Sequence, residues 1–181
     1  MKLINFFIIT LSFVFIGCND EDFWEVPRNG TNPSIECNVD GIDFKFCLLD
    51  KNGNPSTKFR EGENFSFYLK ITNLRKEELW YICATHYIQN FGDLKTLNHK
   101  TIKYPIPIMC DLSLGKRPLY GENSYEARLP WEFDHPDFNK VHIPKGKYYT
   151  EFSHKFKYVL YDNTTALSIG PLTFRVNFEI E

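Results

Sequence analysis

Apolar and polar side chains alternate along much of this chain beyond residue 40. Across 43–50, Phe44, Phe46 and Leu48 interleave with Asp43, Lys45 and Cys47, the period of two expected of a strand with one buried face. Asp50-Lys51-Asn52-Gly53-Asn54-Pro55 ends that run with strong turn chemistry. A second strand is predicted over 64–72, where Phe65, Phe67, Leu69 and Ile71 alternate with Ser66, Tyr68, Lys70 and Thr72. A third covers 79–87, with Trp80, Ile82 and Ala84 sharing one side. The pattern loosens over 88–140. Residues 102–110 are apolar but carry Pro105 and Pro107, which cannot donate to a ladder and confine the segment to an edge; Leu112-Ser113-Leu114 extends it. Alternation returns over 124–133 through Tyr125, Ala127, Leu129 and Trp131. After the turn Ile143-Pro144-Lys145-Gly146-Lys147, a long strand over 148–160 puts Tyr148, Thr150, Phe152, His154, Phe156 and Tyr158 on one side. Asp162-Asn163 turns the chain, and Leu172, Phe174, Val176, Phe178 and Ile180 alternate in a final strand. No segment has helical periodicity and no internal repeat is visible. Short alternating strands separated by turns predict an all-β antiparallel sandwich of about 7–9 strands.

Composition agrees with that class. Aromatic residues make up 17% of the chain, and aromatics favour strands. Residues 37–181 are expected to form one domain, of a size that buries about 68–70% of its unfolded surface without staples. The formal charge is −2, which offers no basic field for nucleic acid. Residues 18–36, with Asn19-Asp20-Glu21-Asp22, Pro27, Asn29-Gly30 and Asn32-Pro33, read as a flexible linker too poor in apolar area to offset its ordering entropy. Phe23 and Trp24 interrupt it and are expected to rest on the domain, the alternative being that they dip toward lipid headgroups.

The first eighteen residues carry an address. Lys2 gives a positive start, Leu3 to Ile16 is mostly apolar, and Gly17-Cys18 closes the segment, the order of a secretory signal. The apolar stretch is too short for a membrane-spanning helix, which needs roughly 17–25 residues. Phe15-Ile16-Gly17-Cys18 resembles the bacterial lipoprotein signal. Phe15 stands where that pattern usually has Leu, and Ile16 where it has Ala or Ser. The resemblance implies removal of residues 1–17 and acylation of Cys18. The alternative is an ordinary secretory signal in which Cys18 is incidental. Two or three acyl chains hold firmly where one would hold marginally, at about 0.8 kcal/mol per buried CH₂. The acidic run after Cys18 is similar to tags on surface-exposed lipoproteins of Gram-negative anaerobes, or serves as a solvated tether. The expected location is the outer membrane, lipid-anchored and surface-exposed.

Three segments carry a second resemblance: Phe59-Arg60-Glu61-Gly62-Glu63-Asn64-Phe65-Ser66-Phe67, Ile143-Pro144-Lys145-Gly146-Lys147-Tyr148, and the alternation from Leu172 to Ile180. Together they resemble the immunoglobulin-like sandwiches of secreted bacterial proteins, and more distantly the BsuPI-like proteinase-inhibitor domains. Only fold is implied, since no inhibitory residue carries over.

No nucleophile elbow, zincin motif or phosphate-cradling loop is present, and no cofactor, metal site or catalytic residue is expected. Asp134-His135-Pro136-Asp137 reads as a surface turn, and Asp50-Lys51-Asn52-Gly53-Asn54 as a hairpin turn rather than a calcium loop, because Gly53 is out of place for one. Cys37, Cys47, Cys83 and Cys110 allow three disulfide connectivities or free thiols. The irregular middle offers an aromatic surface with Arg117 and Arg128 nearby; Tyr120, Trp131 and Phe133 are its candidate partner-binding residues. The chain is therefore expected to be a monomeric, lipid-anchored, non-enzymatic envelope protein that binds a protein or glycan partner. The alternatives are a BsuPI-like inhibitor using a loop at 50–60, and a metal-dependent or enzymatic module.

Overall fold

A computed structural model describes residues 22–28, 30–84, 91–105, 114–120, 123–137 and 141–181. Cys18, Cys110, His86, residues 106–113 of the expected edge segment and the side chain of Cys83 lie outside the described residues. Those that are described form twelve strands and no helix: β1 (Asp22–Val26), β2 (Ser34–Val39), β3 (Ile42–Leu49), β4 (Lys58–Phe59), β5 (Phe65–Asn73), β6 (Leu79–Ala84), β7 (Leu94–Thr96), β8 (Thr101–Ile102), β9 (Leu114–Leu119), β10 (Ser124–Trp131), β11 (Gly146–Leu160) and β12 (Leu167–Ile180). The all-β expectation holds. The strand count exceeds 7–9 chiefly because β4, β7 and β8 are two- or three-residue pieces, too short for alternation to show.

Two sheets face one another. The smaller runs β10-β5-β3-β2 and the larger β1-β12-β11-β6-β9, with β4 paired to β12 and β7 to β11 and β8. Pairing is antiparallel except for β1 and β4, which run parallel to β12. The alternation explains the packing. Phe44, Phe46 and Leu48 of β3 and Phe65, Phe67, Leu69 and Ile71 of β5 are all buried. They meet Phe152 and Phe156 of β11 and Phe174 of β12 across the gap. Phe46 lies edge-on to Phe152 at 4.8 Å, and Phe44 edge-on to Phe156 at 5.7 Å, a geometry the ring quadrupole favours. Truncating any of these rings to Ala would cost about 3–5 kcal/mol.

Three sequence expectations need correction. The expected linker over 18–36 contains β1 and the start of β2. Trp24 stacks on Phe174 at 5.5 Å, and Val26 and Ile35 are buried. A few well-placed apolar side chains outweigh the Pro, Asn and Gly around them once a sheet edge is present to pair with. The sandwich therefore includes β1, upstream of residue 37. The second correction concerns β6, which buries Leu79 and Tyr81 and turns Trp80 and Ile82 outward. Its register with β11 sets Tyr81 opposite the buried Tyr158; a one-residue change of reading flips every side chain to the other face. The third is Cys47, which the alternation put on the solvent face but which is fully buried as a free thiol.

β11 and β12 slip by one residue between His154 and Phe156. Leu172 opposes His154 and Ile169 opposes Phe156, so Gly170 and Pro171 together face a single residue of β11. This is a bulge in β12 whose first residue has φ +88°, a backbone that glycine adopts without penalty. Pro171 is tolerated there because a bulged position has no ladder bond to donate.

Candidate binding surface

The outward positions of β11 and β12 carry a bonded cluster of polar and charged side chains. Tyr149 and Glu151 of β11 pair with Asn177 and Arg175 of β12. Lys95 of β7 lies opposite Tyr149, and Glu25 of β1 opposite Arg175. Glu151 accepts from Arg175 Nε at 2.7 Å, from the second guanidinium nitrogen of Arg175, and from Lys95 Nζ at 3.1 Å. Burial pushes the Glu151 carboxyl up, but the bonds from Arg175 and Lys95 outweigh it and hold the group below the ordinary glutamate range. Arg175 also lies between two rings, 5.0 Å from the centre of Tyr149 and 5.1 Å from that of Phe23, and Lys95 stands 5.6 Å from the Tyr149 ring. Tyr149 is nearly covered, so it supports this layer and is not available for stacking on a ligand.

A hairpin tip closes one side. Between β7 and β8 the Thr96 amide donates to the Lys100 carbonyl and the His99 amide to the Thr96 carbonyl. His99 is left-handed, with φ 60°, as three-residue hairpin loops require at that place. Its Nδ1 sits 2.7 Å from the Tyr149 hydroxyl. On the opposite side Asn177 Nδ2 donates to Glu25 Oε1 at 2.6 Å and to the Val26 carbonyl at 2.8 Å, which fastens β1 to β12. A concavity of about 330 Å³ results, lined by Glu25, Arg28, His99, Tyr149, Arg175 and Asn177. A second, of about 280 Å³, adjoins it through Arg28 and Asn177 and adds Lys58, Lys147 and Glu179. The two form a trough with Arg28 at its waist. Arg28 is exposed, whereas Arg175 and Lys95 are already occupied by Glu151.

The aromatic candidates divide. Trp131 is fully buried and stacks on Phe65 at 5.8 Å, so it belongs to the core and cannot meet a partner. Phe133 is half-buried against Phe65, its amide donating to Asn64 Oδ1. Tyr120 is half-buried, edge-on to Trp80 at 6.0 Å. The structure therefore does not bring the three together as one patch. Neighbouring β9 carries Lys116, Arg117 and Pro118, which guard an edge strand against added strands.

The remaining candidates are turns. Asp50 Oδ1 accepts from the amides of Asn52 and Asn54 at 2.8 Å; the Asn54 bond leads in holding its carboxyl below the usual range. Segment 50–60 is stitched to the sandwich by the Ser56 amide on the Leu48 carbonyl, the Glu179 amide on the Thr57 carbonyl, and β4. Asp134 accepts from Asn64 Nδ2 at 3.1 Å, and the Asp137 amide donates to His135 Nδ1 at 3.3 Å. No group of three or more His, Cys, Asp or Glu placed to hold a metal occurs among the described residues.

The trough was not legible in the sequence. Its residues come from β1, β4, β11, β12 and the turns beside them, and only sheet register brings them together. The available signal was Tyr149, an aromatic on the polar side of a strand whose other side was already filled.

No family model matches this chain, and no curated protein matches it. Among solved structures, the X-ray structure of a Northeast Structural Genomics Consortium target, SoR45, aligns over 77% of this chain and 88% of its own, at 13% identity and a TM-score of 0.33. A likeness that weak carries no argument about fold or function.

Proposed function

We propose that this chain is a non-enzymatic, lipid-anchored binding protein of the cell envelope. In this reading an immunoglobulin-like sandwich, tethered through acyl chains on Cys18 at the outer membrane, presents the trough to a protein or glycan partner. The observation that supports it best is the pair of adjoining concavities sharing Arg28 and Asn177. They hold charged donors and acceptors in fixed positions, as recognition of a hydroxyl- or carboxylate-bearing ligand needs. Tyr149, Glu151 and Arg175 supply the rigid floor beneath, and Arg28 supplies an exposed cation.

The test is a glycan array and an envelope pull-down with the wild-type protein and with Arg28→Glu. A ligand that binds wild type and is lost, about tenfold or more, on charge reversal at Arg28 supports the proposal. Absence of any ligand, together with hydrolysis of a substrate panel by the purified protein, would replace it with an enzymatic reading.

A further inference from the structure

We infer that the sandwich rests on the lipid surface by one end, through Leu74, Tyr161 and Leu167; this depends on the lipid-anchor reading above. Four connections share that end. The turn Asp40-Gly41 joins β2 to β3, residues 74–78 join β5 to β6, Tyr120 follows β9, and residues 161–166 join β11 to β12. Backbone bonds tie them together: the Leu74 amide donates to the Gly41 carbonyl at 2.9 Å and the Tyr161 amide to the Glu78 carbonyl at 3.0 Å. Register agrees, since Leu79 pairs with both Leu160 and Leu119, and Leu167 with Tyr158.

Five large apolar side chains are exposed among the described residues: Phe23, Leu74, Leu97, Tyr161 and Leu167. Leu74 at 55%, Tyr161 at 59% and Leu167 at 39% exposure all belong to this end. Phe23 lies against Arg175, and Leu97 is on the β7–β8 tip, opposite the start of β11. Two leucines and a tyrosine at one extremity suit the headgroup boundary, where leucine enters the acyl region and tyrosine keeps its hydroxyl in water.

Chain length restricts how the domain can stand on the bilayer. β1 runs parallel to β12 with Asp22 beside Leu172, so its start points toward the end where β12 begins. From Asp22 to Leu167 along β12 is about 16 Å at strand rise. Cys18 precedes Asp22 by four residues, a reach of at most about 14 Å. An upright domain can therefore hold the β11–β12 connection at most a few ångströms clear of the bilayer that receives the acyl chains on Cys18. Either that end touches the lipid or the domain lies over on its β1 edge, and the exposed apolar residues favour the first.

The experiment uses full-length protein processed in a bacterial host and reconstituted into phosphatidylethanolamine–phosphatidylglycerol vesicles. Mass spectrometry of the mature N-terminus tests the anchor separately. With Cys18 acylated, hydrogen exchange on vesicles against exchange in detergent should slow about fivefold or more at 74–78 and 161–166 and stay unchanged at 97–100. Changing Leu74, Tyr161 and Leu167 together to Asp should abolish that protection while leaving acylation intact. Protection along β1 and β2 instead, or none, would overturn the inference with the anchor still standing. An unmodified Cys18 would remove both.

Discussion

His154 is a largely buried group whose ionisation the fold opposes, and replacing it with glutamine has a calculable effect. Its ring lies on the inner side of β11, with Nε2 2.8 Å from the Tyr81 hydroxyl. Desolvation alone pulls its pKa down from 6.5 to about 4, so no neighbouring charge contributes. The imidazole is neutral, and its Nε2 shares a hydrogen bond with the Tyr81 hydroxyl whose direction the tautomer sets. As pH falls, the unfolded chain takes up the proton first; stability is fully present above pH 6.5 and is lost as pH descends toward 4. At pH 5, a point 1.5 units below the unfolded value, the loss is about 2 kcal/mol at 1.36 kcal/mol per unit. The side chain keeps some contact with water, which trims this to about 1–2 kcal/mol. His154→Gln retains an acceptor for Tyr81 and cannot titrate, so its packing cost is a constant offset. Urea unfolding of both proteins at pH 7, 6 and 5 measures the difference. Asp50 and Glu151 titrate at lower pH and are common to both. The wild-type curve should converge on that of the variant by about 1–2 kcal/mol between pH 7 and 5. Parallel curves would refute a neutral, desolvated His154.

Two further substitutions probe the same pair of strands. Gly170→Ala would place a methyl group 2.5 Å from the Leu172 amide nitrogen and 3.1 Å from the His154 carbonyl oxygen at φ +88°, so thermal unfolding should show a loss of about 2 kcal/mol or more; an unchanged Tm would mean that the bulge is absent. The Thr150 hydroxyl is fully buried with no hydrogen-bond partner among the described residues, so Thr150→Val should be neutral or stabilising by up to about 1 kcal/mol in denaturant titration. A clear destabilisation would show that the hydroxyl is bonded.

Legibility followed the physics of each segment. Where one face of a strand is buried and the other largely wet, as in β5, β10 and β12, alternation revealed the element and its core face. β6 failed because both faces are apolar: Leu79 and Tyr81 enter the core while Trp80 meets Tyr120 outside. β1 failed because its parallel partner, β12, lies about 150 residues away, and a five-residue strand between Asp and Pro has no local signature. Trp131 was visible as a core position on its stripe and as an interface aromatic by type, and its burial selects the first. The Lys95–Glu151–Arg175 network stayed hidden because charged residues on outward strand positions look like ordinary solvated surface until register places them together.

The length of β11 ties the two proposals into one orientation. Tyr149 lies eleven residues before Leu160 on this strand, about 36 Å at strand rise. With the Leu74–Tyr161–Leu167 end on lipid, the trough stands several Debye lengths above the headgroups, since screening at physiological ionic strength acts within about 8 Å. Membrane charge then neither attracts nor masks Arg28, and a partner in the surrounding medium approaches the trough unobstructed. A flexible tether would have left this distance undefined. The parallel pairing of β1 with β12 reduces that freedom by holding Asp22 to Val26 in the sheet, so on these two proposals the orientation of the trough follows from the fold.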